Sequence, residues 1–182
     1  MKARIGLRAA ALCALMATAA PARAHRLDEY LQATVVDVSR QHITLTLRLT
    51  PGVEVAPGVI RQIGGNGDSA PSAAAWQGYG ATITRGLSLA LNGRALPLRV
   101  VATAFPAPAA MRAGNGVMTL RLEAAVALAP GVYHLAYANH NAGPDTVYLV
   151  NALLPRDPAL HAIRQQRTPD QSSYQLDFTL DR

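Results

Sequence analysis

Histidine supplies the first candidate chemistry in this chain. Its five histidines are His25, His42, His134, His140 and His161, and its one cysteine is Cys13. Ala22-Arg23-Ala24, just before His25, places small residues at the two positions a signal peptidase reads. Cleavage there leaves His25 first in the mature chain, where its α-amine and imidazole together can chelate one metal ion. Imidazole suits copper, nickel and zinc. The ordinary pKa values, near 7.7–8.0 for the amine and about 6.5 for the imidazole, let a metal displace the remaining protons near neutrality. One residue cannot hold a structural or catalytic ion alone, so a second histidine must converge on it. None of the other four stands at a local metal-ligand spacing. His42 is expected at the turn end of a hairpin whose far end carries the terminus, and a rise of about 3.3 Å per residue keeps the two apart. The second nitrogen would then come from His134 or His140. The competing reading is that cleavage merely happens to leave a histidine, with the other four scattered over the surface.

Other constellations fall away on geometry. No G-x-S-x-G elbow surrounds a serine. Asp28 and Glu29 are adjacent, and neighbouring residues on a strand point to opposite faces, so they cannot share a proton-transfer site. Gly64-Gly65-Asn66-Gly67 lacks the preceding strand and following lysine of a phosphate loop. Arg164 and Arg167 are too few for a polyanion groove. No catalytic residues are assigned, and the chain is not expected to be an enzyme.

Compartment is more legible. Lys2, Arg4 and Arg8 form a positive n-region, Ala9 to Ala20 an apolar h-region, and Pro21 ends it, which reads as a signal peptide over residues 1–24. The apolar run falls short of the roughly 20 residues needed to span a bilayer, so cleavage between Ala24 and His25 is expected over a retained anchor. The mature chain is expected to have no transmembrane helix and to be periplasmic or secreted. The chain has 17 basic and 11 acidic residues. Lys2, Arg4, Arg8 and Arg23 leave with the leader and no acid does, so 17 less four gives 13 basic against 11 acidic residues, a net charge of +2. A nucleic-acid partner loses its main support. Without Cys13 the mature chain has no thiol for a disulfide, a nucleophile or a thiolate metal site.

The elements that would position any site are mostly strands of period two. Tyr30 to Val38 and His42 to Thr50 make a hairpin through Ser39-Arg40-Gln41, with Ile43, Leu45, Leu47 and Leu49 on one face. After Pro51-Gly52 come a weakly helical stretch, Val53 to Ile63, a small-residue loop, Gly64 to Ser72, and a helix, Ala73 to Arg85. Gly78 and Gly80 weaken that helix by up to about 1 kcal/mol each. Leu87 to Leu91, the turn Asn92-Gly93 and an alternating Leu96 to Val100 read as a second hairpin, with Pro97 favouring an edge or a strand start. Ala104 to Gly116 reads as a loop. Strands follow around Met118 to Leu122 and Tyr133 to Tyr137. Thr146 to Leu154 is apolar on both faces, which suits a central strand better than an edge. Leu160 to Arg167 and Ser173 to Leu180 close the chain. Eight or nine strands predict a mostly β fold, an antiparallel β-sandwich (Ig-like) occupying residues 25–182 as one domain. A small helix-loop-helix insertion would lie at about 53–86.

Three stretches, Ala24-His25-Arg26-Leu27-Asp28-Glu29-Tyr30-Leu31-Gln32, Leu49-Thr50-Pro51-Gly52 and Tyr148-Leu149-Val150-Asn151-Ala152, together with Gln171 to Phe178, resemble the exported bacterial domain associated with HupE/UreJ-type membrane proteins. The resemblance spans the mature chain but carries no catalytic signature. It implies an extracytoplasmic module; some relatives continue into membrane helices, and coupling to a transport domain in the same polypeptide is not expected here. Relatives often carry an EF-hand-like loop inside the helical insertion. Aligned on that loop, Asn66, Asp68 and Ser72 stand at positions 3, 5 and 9. Gly64 replaces the acid at position 1, Ser69 the glycine at 6, and Ala75 the bidentate glutamate at 12. The loop is therefore a degenerate EF-hand, expected not to bind calcium. The expected function is a non-catalytic binding or accessory module that partners an envelope or membrane protein and needs no cofactor. Its rival is a copper, nickel or zinc module built on His25.

Overall fold

A computed structural model of the chain describes residues 28–65, 69–143 and 145–182. The alternating sequence forms ten strands in two five-stranded sheets. In chain order they are β1 (Tyr30–Val38), β2 (His42–Pro51), β3 (Leu87–Leu91), β4 (Arg94–Ala95), β5 (Arg99–Ala104), β6 (Met118–Ala125), β7 (Gly131–Asn139), β8 (Thr146–Ala152), β9 (Leu160–Arg167) and β10 (Ser173–Leu180). One sheet runs β5-β6-β2-β1-β8 and the other β4-β3-β7-β10-β9. Helices α1 (Ala56–Gln62) and α2 (Ala73–Arg85) lie between β2 and β3, and a short α3 (Pro108–Arg112) lies between β5 and β6.

The core follows from the alternation. Ile43, Leu45, Leu47 and Leu49 of β2 and Met118, Leu120, Leu122 and Ala124 of β6 are buried from one sheet. Leu135 and Tyr137 of β7 and Tyr174, Leu176, Phe178 and Leu180 of β10 meet them from the other, in one apolar cluster.

The helical insertion matches the sequence reading, with α2 over the expected residues. Ser72 caps it by accepting a hydrogen bond from the Ala75 amide at 3.1 Å. Trp76 stacks on Phe105 with ring centroids 4.4 Å apart. A polar chain then fastens the insertion to both sheets. The Asn141 side-chain amide donates to the Ile83 carbonyl and to Asn139 Oδ1, both at 2.9 Å. Asn139 donates in turn to Gln32 Oε1, and Gln32 Nε2 to the Asn141 carbonyl. Gly86 lies against this belt: a Cβ there would meet Asn141 Oδ1 at 2.2 Å.

Four expectations are corrected. Thr146 to Leu154 is not central; among the described residues β8 is an edge, paired with β1 alone. That pairing is parallel, so the architecture is not purely antiparallel. Asn92 and Gly93 do turn a hairpin, with φ of 49° and 78°. However, its second strand stops at Ala95 and the chain resumes at Arg99 in the other sheet. Pro97 cannot donate to a ladder, and the crossing occurs around it. The stretch Ala104 to Gly116 holds α3 rather than loop throughout, with Pro108 in its first turn.

Candidate functional site

The histidines do not converge on one another. His25, and with it the supposed cleavage point, lies outside the described residues, as do Asn66 and Asp68 of the calcium-type loop. Ser72, the remaining residue of that loop set, spends its hydroxyl on capping α2. His42 stands at the β1–β2 turn, at the far end of β1 from Tyr30. His134 lies on the outer face of the second sheet, its Nδ1 2.5 Å from Asp177 Oδ1. Arg164 Nε donates to the other oxygen of that carboxylate at 3.1 Å. His161, on the same sheet, sits 3.3 Å from Asp181. His140 follows β7 and lines a cavity of about 450 Å³ with Tyr30, Val59, Tyr79 and Asp145. Among the described residues no three metal-ligating side chains come together.

The arrangement with the most exposed apolar chemistry lies elsewhere, at the edge where β8 and β9 end the two sheets. Of the large hydrophobic residues left exposed, Leu149 (41%) is on β8, Leu153 (48%) and Leu154 (87%) follow it, and Ile163 (60%) is on β9. β10 comes against β8, and Arg167 of β9 reaches the carbonyl that Val150 turns away from β1, so β9 lies on the free side of β8. Its burial agrees: Leu160 is buried and residues 161–167 are exposed. Ile163 is the extra residue of a bulge, because Arg164 pairs with Asp177 while Ala162 pairs with Phe178.

Arg167 spans the gap between the sheets. Its Nε donates to the Val150 carbonyl at 2.7 Å, and its terminal nitrogen to Asn151 Oδ1 at 2.6 Å and Gln165 Oε1 at 3.2 Å. The guanidinium carbon also lies 5.1 Å from the centre of the Tyr174 ring, a cation–π contact. The Tyr174 hydroxyl is buried with no hydrogen-bond partner among the described residues. Burial raises its pKa and Arg167 opposes the rise.

The hydrogen bonds also fix which way β8 directs its backbone. In a parallel pair, alternate residues turn both N–H and C=O toward the same neighbour. The Leu153 amide donates to Val36 of β1 and the Asp145 carbonyl accepts from Tyr30. Thr146, Tyr148, Val150 and Ala152 therefore direct theirs away from β1, as the bond from Arg167 to Val150 requires. Sequence reasoning set Arg167 aside as one of too few cations. Its signal was present in the β8 stretch, which is uncharged and apolar on both faces.

Comparison with family models, curated proteins and solved structures finds no match for this chain.

Proposed function

We propose that this chain is a non-catalytic binding module of the extracytoplasmic space that docks on an envelope or membrane protein. The observation that carries the reading is the exposure of Leu149, Leu153, Leu154 and Ile163 on or just after β8 and β9, the strands that end the two sheets. Single surface hydrophobics need no explanation, but several large ones exposed at neighbouring strand edges fit an interaction surface. The signal-like leader and the resemblance to the domain associated with HupE/UreJ-type membrane proteins support the compartment and the kind of partner. An Ig-like sandwich with a degenerate EF-hand insertion is the finer fold reading that goes with them. No helix among the described residues is long and apolar enough to cross a membrane.

The test is affinity capture from a solubilised envelope fraction with the mature protein, compared with a Leu153→Asp/Leu154→Asp variant. Val132→Asp is the control, since Val132 is exposed on β7 away from this edge. The reading expects one reproducible partner, lost with the leucine variant and kept with the control. Capture that ignores the leucine variant, or turnover of a small substrate by the purified protein, would overturn it.

A metal module on His25 keeps one supporting observation. His140 and Asp145 line the cavity at the end of the molecule where β1 begins, five residues after His25. His134, by contrast, is engaged with Asp177. Copper, nickel or zinc would then be held between His25 and His140. Copper titration of the mature protein should lose its tight phase in both His25→Ala and His140→Ala; equal titration of all three proteins rejects the reading.

A further inference from the structure

A sheet edge is a template for pairing with another chain, and folded proteins blunt such edges with charges, proline, bulges or brevity. Three of the four edges here are blunted in these ways. β4 is two residues long, and Pro97 follows it. β5 carries Arg99 and breaks register between Val100 and Ala102. β9 carries Arg164 and Arg167 and a bulge at Ile163. β8 has none of them: Thr146–Ala152 contains no charge and no proline, and its pairing with β1 is unbroken. It has the composition of a strand with neighbours on both sides, yet among the described residues it has one neighbour.

We propose that β8 is completed by an extended segment of a partner polypeptide, added as a sixth strand on the side where β9 lies, with a carboxylate directed at Arg167. The proposal rests on the binding-module reading and names the surface and the chemistry of its partner. Thr146, Tyr148, Val150 and Ala152 offer the backbone groups that such a strand needs, and main-chain pairing of this kind is an established recognition mode. β9 lies on that side, exposed from His161 to Arg167 and, among the described residues, paired only with β10.

The place of β9 also selects the occupant. A second copy of the chain, pairing β8 with β8 about a two-fold axis, would bring each copy's β9 over the other's β8. The copy's own β10 occupies that space, so a single strand fits where a symmetric dimer does not. Arg167 supplies the charge preference. Its three acceptors are a carbonyl and two side-chain amides, all neutral. An incoming strand must take the Val150 carbonyl from it, and a carboxylate on that strand would replace the lost bond with a stronger, charge-assisted one.

The probes are capped eight-residue peptides alternating valine and threonine, with aspartate placed in turn at each of the four central positions. Matched peptides carry asparagine in its place, or N-methyl groups on alternate amides. Amide hydrogen exchange of the mature protein is followed by NMR. At least one aspartate peptide should protect Thr146, Tyr148, Val150 and Ala152, with about tenfold weaker binding for its asparagine match. Arg167→Gln should erase that difference, and Tyr148→Pro, at a position whose amide does not serve β1, should abolish protection. The inference is overturned if no aspartate peptide protects these amides or if N-methylated peptides protect equally. Protection that grows with protein concentration alone would also overturn it, in favour of self-pairing. Failure here is separable from failure of the parent reading. Envelope capture that survives Tyr148→Pro but is lost in Leu153→Asp/Leu154→Asp keeps the binding module and rejects strand addition.

Discussion

The Tyr30 hydroxyl lies 2.6 Å from the Tyr79 hydroxyl, a buried hydrogen bond that ties β1 to α2 across 49 residues of sequence. Both side chains are buried core members, and both also line the cavity beside His140. Tyr79→Phe strands the Tyr30 hydroxyl and should cost about 1–3 kcal/mol in urea unfolding, whereas Tyr30→Phe/Tyr79→Phe should cost less than the sum of the single changes. Additive losses in the double-mutant cycle would show that the pair is not coupled.

The same burial sets an alkaline limit. It raises the pKa values of Tyr30 and Tyr79 above 10.0, the Tyr30 rise being large, and pushes Tyr137 up to about 12 against the opposing Thr34 hydrogen bond. These phenols ionise earlier in the unfolded chain than in the folded one. Their stabilisation is therefore complete below the ordinary tyrosine pKa of about 10 and is lost as pH rises from there toward 12. Phenolate absorbance of the buried tyrosines should appear together with loss of the β-sheet circular dichroism signal. Their ionisation in a still-folded protein would contradict this.

Much of the element order was legible because burial of one sheet face writes period two into the sequence. β10 occupies the residues that the alternation picks out, β9 the stretch expected to be a strand, and α2 runs from the residue after its Ser72 cap to Arg85. What periodicity cannot express is how many neighbours a strand has in the hydrogen-bonding direction. Val147, Leu149 and Val150 make both faces of β8 apolar in sequence, but Leu149 is left exposed and none of them says anything about the strand's free side. The parallel partnership of β1 and β8 joins residues more than a hundred positions apart, beyond any local signal. The candidate site was missed for that reason: Arg167 gains meaning only when β9 is seen to lie on the free side of β8. The histidine reading failed to assemble on similar grounds. His134 belongs to a cross-strand hydrogen bond, since β7 and β10 place it opposite Asp177, 43 residues away.

Tyr174→Phe is expected to behave unlike Tyr79→Phe. The Tyr174 hydroxyl is buried and lacks a partner among the described residues, so its removal leaves no acceptor stranded and spares a desolvated polar group. The ring and its stacking with Arg167 remain. Thermal unfolding should show an unchanged or higher midpoint, by up to about 1 kcal/mol in stability. A loss as large as that of Tyr79→Phe would reveal a hydrogen bond to this hydroxyl.

Asp177 joins three strands at once, accepting from Arg164 of β9 and contacting His134 of β7 from its own place on β10. The His134 hydrogen bond, aided by Arg164, holds its carboxyl below the ordinary carboxylate range, with desolvation opposing. A depressed folded-state pKa contributes stability that is fully present above the unfolded carboxylate value and is lost as pH falls through the folded one. The group is solvent-exposed, so the contribution is also screened by salt. Asp177→Asn should therefore lower the urea midpoint at neutral pH, more at low ionic strength than at high. The gap between variant and parent should narrow as pH falls below the ordinary carboxylate value and through the lowered pKa of Asp177, where the parent carboxyl becomes protonated too. His134→Gln should reproduce part of that narrowing while leaving the Arg164 contact in place. A gap that stays constant from neutrality to acid would mean that the carboxylate's charge contributes nothing, and that Asp177 serves only to fill the sheet surface between His134 and Arg164.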